Sequence, residues 1–164
     1  MHISNGLPKF ENVNALIVVM GAKSVLFYTG SNSTLEELES FYLKEPEYSK
    51  NRTMRGVNAE KGKSSLRSAY TSRGPSLLTD FLQGFYKHLV NILKQNVITK
   101  IYMFCPTYME ARVRNILPKD IHNKIVAVHR GNFVKKHPFE ILKMLEMDHG
   151  IEGVVIENNE EEID

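Results

Sequence analysis

Two short apolar runs, Ala15 to Met20 and Ser24 to Tyr28, are separated only by Gly21, Ala22 and Lys23. Each is rich in Val, Leu, Ile, Phe and Tyr and too short for a helix that buries such a face. They predict a pair of antiparallel strands, with Gly21 supplying the positive φ that a tight connection needs. The first run is apolar almost throughout, as in a strand covered on both faces, which calls for helices on both sides of the sheet. Further along, Leu78, Phe81, Leu82, Phe85, Leu89, Ile92 and Leu93 recur at three- and four-residue steps and predict a long helix, capped by Ser76 and ended by Asn96. Val97 to Cys105 predicts a strand; Thr107 and Glu110 then have the spacing of a capping box opening a helix through Ile116 that Pro118 closes. Lys124 to His129 predicts another strand. Pro138 opens a helix that turns Ile141, Leu142 and Leu145 inward and ends at Gly150, and Gly153 to Ile156 reads as a short edge strand.

Elsewhere the pattern is less decisive. Residues 1–13 form an aperiodic lead-in with Gly6 and Pro8. Between Leu35 and Leu43, Leu35, Leu38 and Tyr42 fit a helical face with Thr34 and Glu37 as its capping box, while Phe41, Tyr42 and Leu43 fit a strand equally well. Residues 44–75 read as a loop, since Met54, Val57, Leu66 and Tyr70 define no face, and residues 157–164 as an acidic tail of five carboxylates. The expected architecture is one α/β domain over residues 14–156, a mixed sheet beginning with an antiparallel hairpin and covered by helices on both faces.

Composition changes this picture at one place. The chain has 164 residues and a net charge of only +2, but Ser49 to Ser76 holds Lys50, Arg52, Arg55, Lys61, Lys63, Arg67 and Arg73 against Glu60 alone. A long aperiodic loop is either functional or a solvated excursion. One-signed charge interleaved with Ser64, Ser65, Ser68, Thr71 and Ser72 is what phosphate contacts require, so these seven cations are the candidate RNA- or anion-binding residues. A single cysteine, Cys105, excludes an internal disulfide and fits a reducing compartment. The opening MHISNGLPKFEN has neither the basic start nor the apolar core of a secretory signal, and no apolar run is long enough to span a membrane, so the expected location is the cytoplasm.

Catalytic apparatus is not visible. Cys105 ends a strand ahead of a helix, where a thiolate would be favoured, but Arg112 follows at seven residues rather than the six of a cysteine-phosphatase loop; a buried core thiol is the simpler account. Residues 12–35 carry no carboxylate to hold nuclease metals. The six histidines show no zinc spacing, and His88 reads as a surface residue. There is no Walker loop, no Gly-x-Gly-x-x-Gly run and no Gly-x-Ser-x-Gly elbow. No catalytic residue, metal ligand or cofactor is therefore assigned. The strand, turn and helix from Val97 to Ile116 do form the kind of edge at which α/β proteins present groups to a ligand, with Arg112 and Arg114 on the helix.

The order of these parts resembles a family. ALIVVMGAKSVLFYTG, LEELESFYLKEPEYSK, the basic KGKSS, FLQGFYKHLVNILK, IYMFCPTYMEARVRNIL and GNFVKKHPFEILKML, spanning roughly Asn14 to Glu146, resemble the bacterial host attachment protein family, itself similar to the middle domain of eukaryotic-type peptide-release factors. The resemblance implies a topology like that of ribonuclease H or that middle domain, a third strand over Leu35 to Leu43, and a role at the ribosome or on structured RNA. Two departures stand out. Glu60, Gly62, Lys63 and Ser64 occupy places where the family tends to carry Asp and Gly-Arg-Ser, and Met109, Glu110, Ala111 and Arg112 replace a Leu-Gly-Leu-Arg start. Release factors of this kind hydrolyse peptidyl-tRNA through a Gly-Gly-Gln tip. This chain has no Gly-Gly pair, and both glutamines, Gln83 and Gln95, fall in the long helix.

The expected function is a non-catalytic module that binds the ribosome, tRNA or other RNA through its basic loop. The alternatives are a protein-interaction factor in attachment to host cells, docking an acidic protein, and third a hydrolase acting on an anionic substrate. Membrane association is not expected. A homodimer through an edge strand stays open beside a monomer.

Overall fold

The computed structural model describes residues 1–44 and 63–149, except for the side chains within 63–76 and 147–149. It contains the strands β1 (Ala15–Met20), β2 (Ser24–Ser31), β3 (Thr34–Glu37), β4 (Phe41–Tyr42), β5 (Lys100–Cys105) and β6 (Ile125–Arg130). The helices are α1 (Lys63–Gln95), α2 (Thr107–Ile116), α3 (Lys119–His122) and α4 (Pro138–His149). The six strands form one mixed sheet in the order β3-β2-β1-β5-β6, with β4 also paired to β2.

The predicted hairpin is present: β1 and β2 are antiparallel from Ala15↔Gly30 to Met20↔Val25, and β1 then pairs in parallel with β5, and β5 with β6. All six residues of β1 are buried, as its apolar run requires. Leu16, Val18 and Met20 face a core shared with Phe81, Phe85 and Leu89 of α1, Met109 and Val113 of α2, and Ile121 of α3. Ala15, Ile17 and Val19 face a second core closed by Ile141, Leu142 and Leu145 of α4 together with Ile3, Phe10 and Phe133. Helices thus cover both faces.

Four local readings are corrected. Gly21 does not adopt a positive φ; it is needed because a Cβ there would sit 2.7 Å from Val134 Cγ2, and its N–H donates to Ser24 O at 2.8 Å. The open choice at Leu35 to Leu43 falls to strand, but as two short strands, Thr34 to Glu37 and Phe41 to Tyr42, rather than the single one the resemblance implies. Asn32 and Ser33, at φ 44° and 63°, form a two-residue turn of the kind that matches strand twist, and the N-terminal residues fasten it, with Ile3 N–H donating to Ser33 O and His2 bridging Thr34. Thr107 does not cap α2: Pro106 holds that position, no side-chain cap bond forms, and Glu110 is drawn instead to two arginines.

The fourth correction concerns the loop assigned to 44–75. Backbone of α1 begins at Lys63, so positions 63–75 are helical. Once the segment from Phe81 to Ile92 is packed, added residues gain hydrogen bonds without a new nucleation cost, apart from the one that Pro75, lacking an N–H, leaves unmade. Leu66, Arg67, Ala69 and Arg73 are adequate helix formers even without an apolar stripe to reveal them. The rest of that loop, the expected terminator Gly150, the edge strand at 153–156 and the acidic tail at 157–164 lie outside the described residues.

Candidate functional site

Because β1, β5 and β6 are parallel, their C-terminal ends lie on one edge, where Val19↔Phe104 and Cys105↔Arg130 are paired. Four connections converge there. The turn Gly21–Lys23 leaves β1; β4 ends there, since Tyr42 pairs with Ser24 and Leu43 N–H donates to Lys23 O at 2.8 Å. From β5 the chain turns into α2, and from β6 it passes through residues 131–137 into α4.

The 131–137 connection is held by fit rather than length. Gly131, at φ 143°, donates its N–H to Cys105 O at 3.0 Å, and a side chain there would press on the ring of Phe133. That ring meets Phe104 edge-on at 5.3 Å, and His129 stacks on the same Phe104 at 4.6 Å. At its far end His137 caps α4. Its ring Nδ1 accepts from Phe139 N–H at 3.3 Å, while its own N–H donates to Glu140 Oε2 at 3.0 Å.

Exposed cations gather around this edge: Lys23, Lys44, Arg112, Arg114, Arg130, Lys135 and Lys136. Among the described residues its carboxylates are Glu110 and Glu140, and both are engaged. Glu110 accepts from Arg114 at 3.1 Å and from Arg130 at 2.5 Å, and its side chain is only 12% exposed against 48% and 37% for the two arginines. The hydrogen bond from Arg130, aided by both positive charges, outweighs burial and holds the Glu110 carboxyl below the usual carboxylate range. His122 Nε2 lies 2.6 Å from Arg114 O, so α3 braces the far end of α2. The edge therefore presents a net positive surface whose acids serve inward tasks.

Cys105 lies beneath it, fully buried. Desolvation, assisted by the Glu110 charge, pushes its thiol up to about 12. A proton-bearing, enclosed sulfur cannot serve as a nucleophile near neutral pH. No three His, Cys, Asp or Glu side chains among the described residues converge as metal ligands. A shallow cavity of about 300 Å³ lies at the other end of α1, lined by Leu38, Glu39, His88, Asn91 and Gln95 among others. His88, expected at the surface, is half-buried there, with Nε2 2.8 Å from Glu39 O and its ring stacked on Phe27, so it ties α1 to the β3–β4 connection.

Of the seven cations singled out in the sequence, Lys63, Arg67 and Arg73 fall on the N-terminal part of α1, and Lys50, Arg52, Arg55 and Lys61 lie outside the described residues. The described chain leaves the sheet at Lys44 and comes back along α1, which packs Gly84 against Phe41 beside this same edge. Arg112 and Arg114 lie on the helix that the sequence predicts for them. Arg130, Lys135 and Lys136 escape a reading of the sequence alone, because only the parallel pairing of β5 with β6 brings residues 110 and 130 together. No protein-family model matches the chain, and no curated protein matches it significantly. No helix among the described residues is long and apolar enough to cross a membrane.

Proposed function

We propose that the chain is a non-catalytic, cytoplasmic RNA-binding module, allied to the host attachment protein family, that grips phosphates of ribosomal RNA or tRNA. The observation that carries this reading is the group of exposed cations, Arg112, Arg114, Arg130, Lys135 and Lys136, at the edge where the described chain also leaves the sheet at Lys44. In the sequence the cations Lys50, Arg52, Arg55, Lys61, Lys63, Arg67 and Arg73 follow Lys44. Guanidinium and ammonium groups so grouped gain affinity for a polyanion by releasing its condensed counterions. A mixed sheet with helices on both faces supports the family reading at the level of fold, and the enclosed thiol of Cys105 speaks against covalent catalysis.

Co-sedimentation with ribosomes from the protein's own cell type, across a salt series, tests this. Log affinity should fall linearly with log salt. Replacing Arg52, Arg55, Lys61 and Lys63 by alanine should flatten the slope by about 0.7–0.9 for each phosphate no longer neutralised, and so should replacing Arg112, Lys135 and Lys136. Absence from ribosomes and bulk RNA even at low salt would overturn the reading and favour an acidic protein partner.

A further inference from the structure

The phosphate-binding edge also carries aromatic rings. Among the described residues, two large aromatic side chains stand mostly in solvent, Tyr42 at 63% and Tyr108 at 64% exposed, and both lie at the edge where β1, β5 and β6 end. Tyr108 is in the first turn of α2, one turn before exposed Arg112, while Met109 and Val113 take that helix into the core. Phe41 points into the core against Phe81 and Gly84, so strand alternation turns Tyr42 to the opposite face, next to exposed Lys44. Three strand steps, about 14 Å at the usual spacing, separate β4 from β5; Lys23 lies in the turn between them, and the connection carrying exposed Lys135 and Lys136 reaches that turn where Val134 abuts Gly21.

A ring on each side of a cationic crossing is the arrangement that single-stranded nucleic acid requires: charges follow the backbone and flat rings take the bases. We infer that the RNA bound at this edge is unpaired, its strand crossing the C-terminal edge with one base stacked on Tyr108 and another on Tyr42. This rests on the RNA-binding reading and narrows it, since bases within a duplex have both faces occupied and offer a tyrosine nothing to stack on. Structured RNA would then be engaged at loops and ends rather than along its helices.

The test compares a short unpaired RNA with a fully paired RNA duplex of equal length, each end-labelled, by fluorescence anisotropy on the full chain. Tyr108→Ala and Tyr42→Ala should each weaken the unpaired RNA by about 5- to 100-fold, leave duplex affinity unchanged and preserve the salt slope. Tyr108→Phe and Tyr42→Phe should stay within about twofold of the parent, because the ring does the stacking. Circular dichroism melts would confirm that these exposed substitutions leave the fold intact. Unpaired binding unaltered by both alanine variants, or weakened equally with duplex binding, overturns the stacking inference. If the Arg112, Lys135 and Lys136 replacements still abolish binding in that case, the RNA-binding reading survives without it; binding of neither RNA by the parent protein overturns both.

Discussion

Glu110 shows how one side chain can be paired for stability within a surface where cations predominate. Its carboxylate takes hydrogen bonds from Arg114, one turn along the same helix, and from Arg130 on β6, thereby tying α2 to the edge of the sheet. Partly exposed pairs of this kind contribute roughly 0.2–1 kcal/mol. Because the folded pKa lies below the ordinary value, the contribution is present above the usual carboxylate range and is lost as pH falls through the depressed value. Glu110→Gln should therefore lower unfolding free energy by up to about 1 kcal/mol at pH 7, with the gap closing in acid. Urea titrations at several pH values measure this, and an equal gap at neutral and acid pH would contradict the ion-pair account. Cys105 gives the opposite titration. With the folded thiol raised to about 12, the thiolate is favoured only after unfolding, so its contribution holds below the free thiol's range and is lost as pH climbs toward 12. Its reaction with a thiol reagent at pH 8 should be negligible in the native protein and complete in denaturant. Fast native labelling would mean that the site opens.

At the level of elements, α1 is fixed by close approach as well as by its apolar stripe. Gly84 faces Phe41, whose ring lies where a Cβ would project. In an exposed helix Gly→Ala stabilises by roughly 0.5–1 kcal/mol. Here the ring of Phe41, itself packed on Phe81 and His88, would have to move. Gly84→Ala should instead destabilise by about 1–3 kcal/mol, and Phe41→Leu should relieve most of that penalty in the double variant. Chemical denaturation of the four proteins would show the coupling; additive effects would mean that ring and helix are not in contact. Elements with an uninterrupted apolar signal, β1, β2, β5 and the packed part of α1, were legible in the sequence because burial alone determines them. Thr34 to Glu37 was not, since a capping box and a polar edge strand use the same residues and only pairing with β2 decides between them. The start of α1 was hidden for a related reason: the sequence of positions 63–75 has no regular apolar stripe, and Pro75 reads locally as a stop. The site was half legible. Charge runs along the chain were visible, whereas the meeting of Arg114 with Arg130 through Glu110 depends on strand order and carries no local signature.

Across the whole molecule, a formal net charge of +2 conceals a separation of sign that can regulate binding. Seven of the described cations gather at the C-terminal edge of the parallel strands, and in the sequence five carboxylates lie between Glu157 and Asp164. Helix α4 starts at the cationic edge, and its 12 residues carry the chain back over the sheet by about 18 Å. Residues 150–156 can span up to about 23–25 Å when extended. That suffices to return the acidic residues past the length of β6 to Arg130, so reach does not prevent the tail from competing with RNA for the same guanidinium and ammonium groups. Deleting residues 157–164 should then strengthen RNA binding several-fold at low ionic strength. The gain should shrink as salt rises and the screening length falls below about 8 Å, because an exposed intramolecular anion is screened just as the polyanion is. Anisotropy titrations of the full and shortened chains on one RNA over a salt series distinguish the cases. Equal affinity at low salt would rule out masking. A gain that persists undiminished at high salt would mean that the tail obstructs by bulk rather than by charge, and replacing its carboxylates with amides would then leave affinity unchanged.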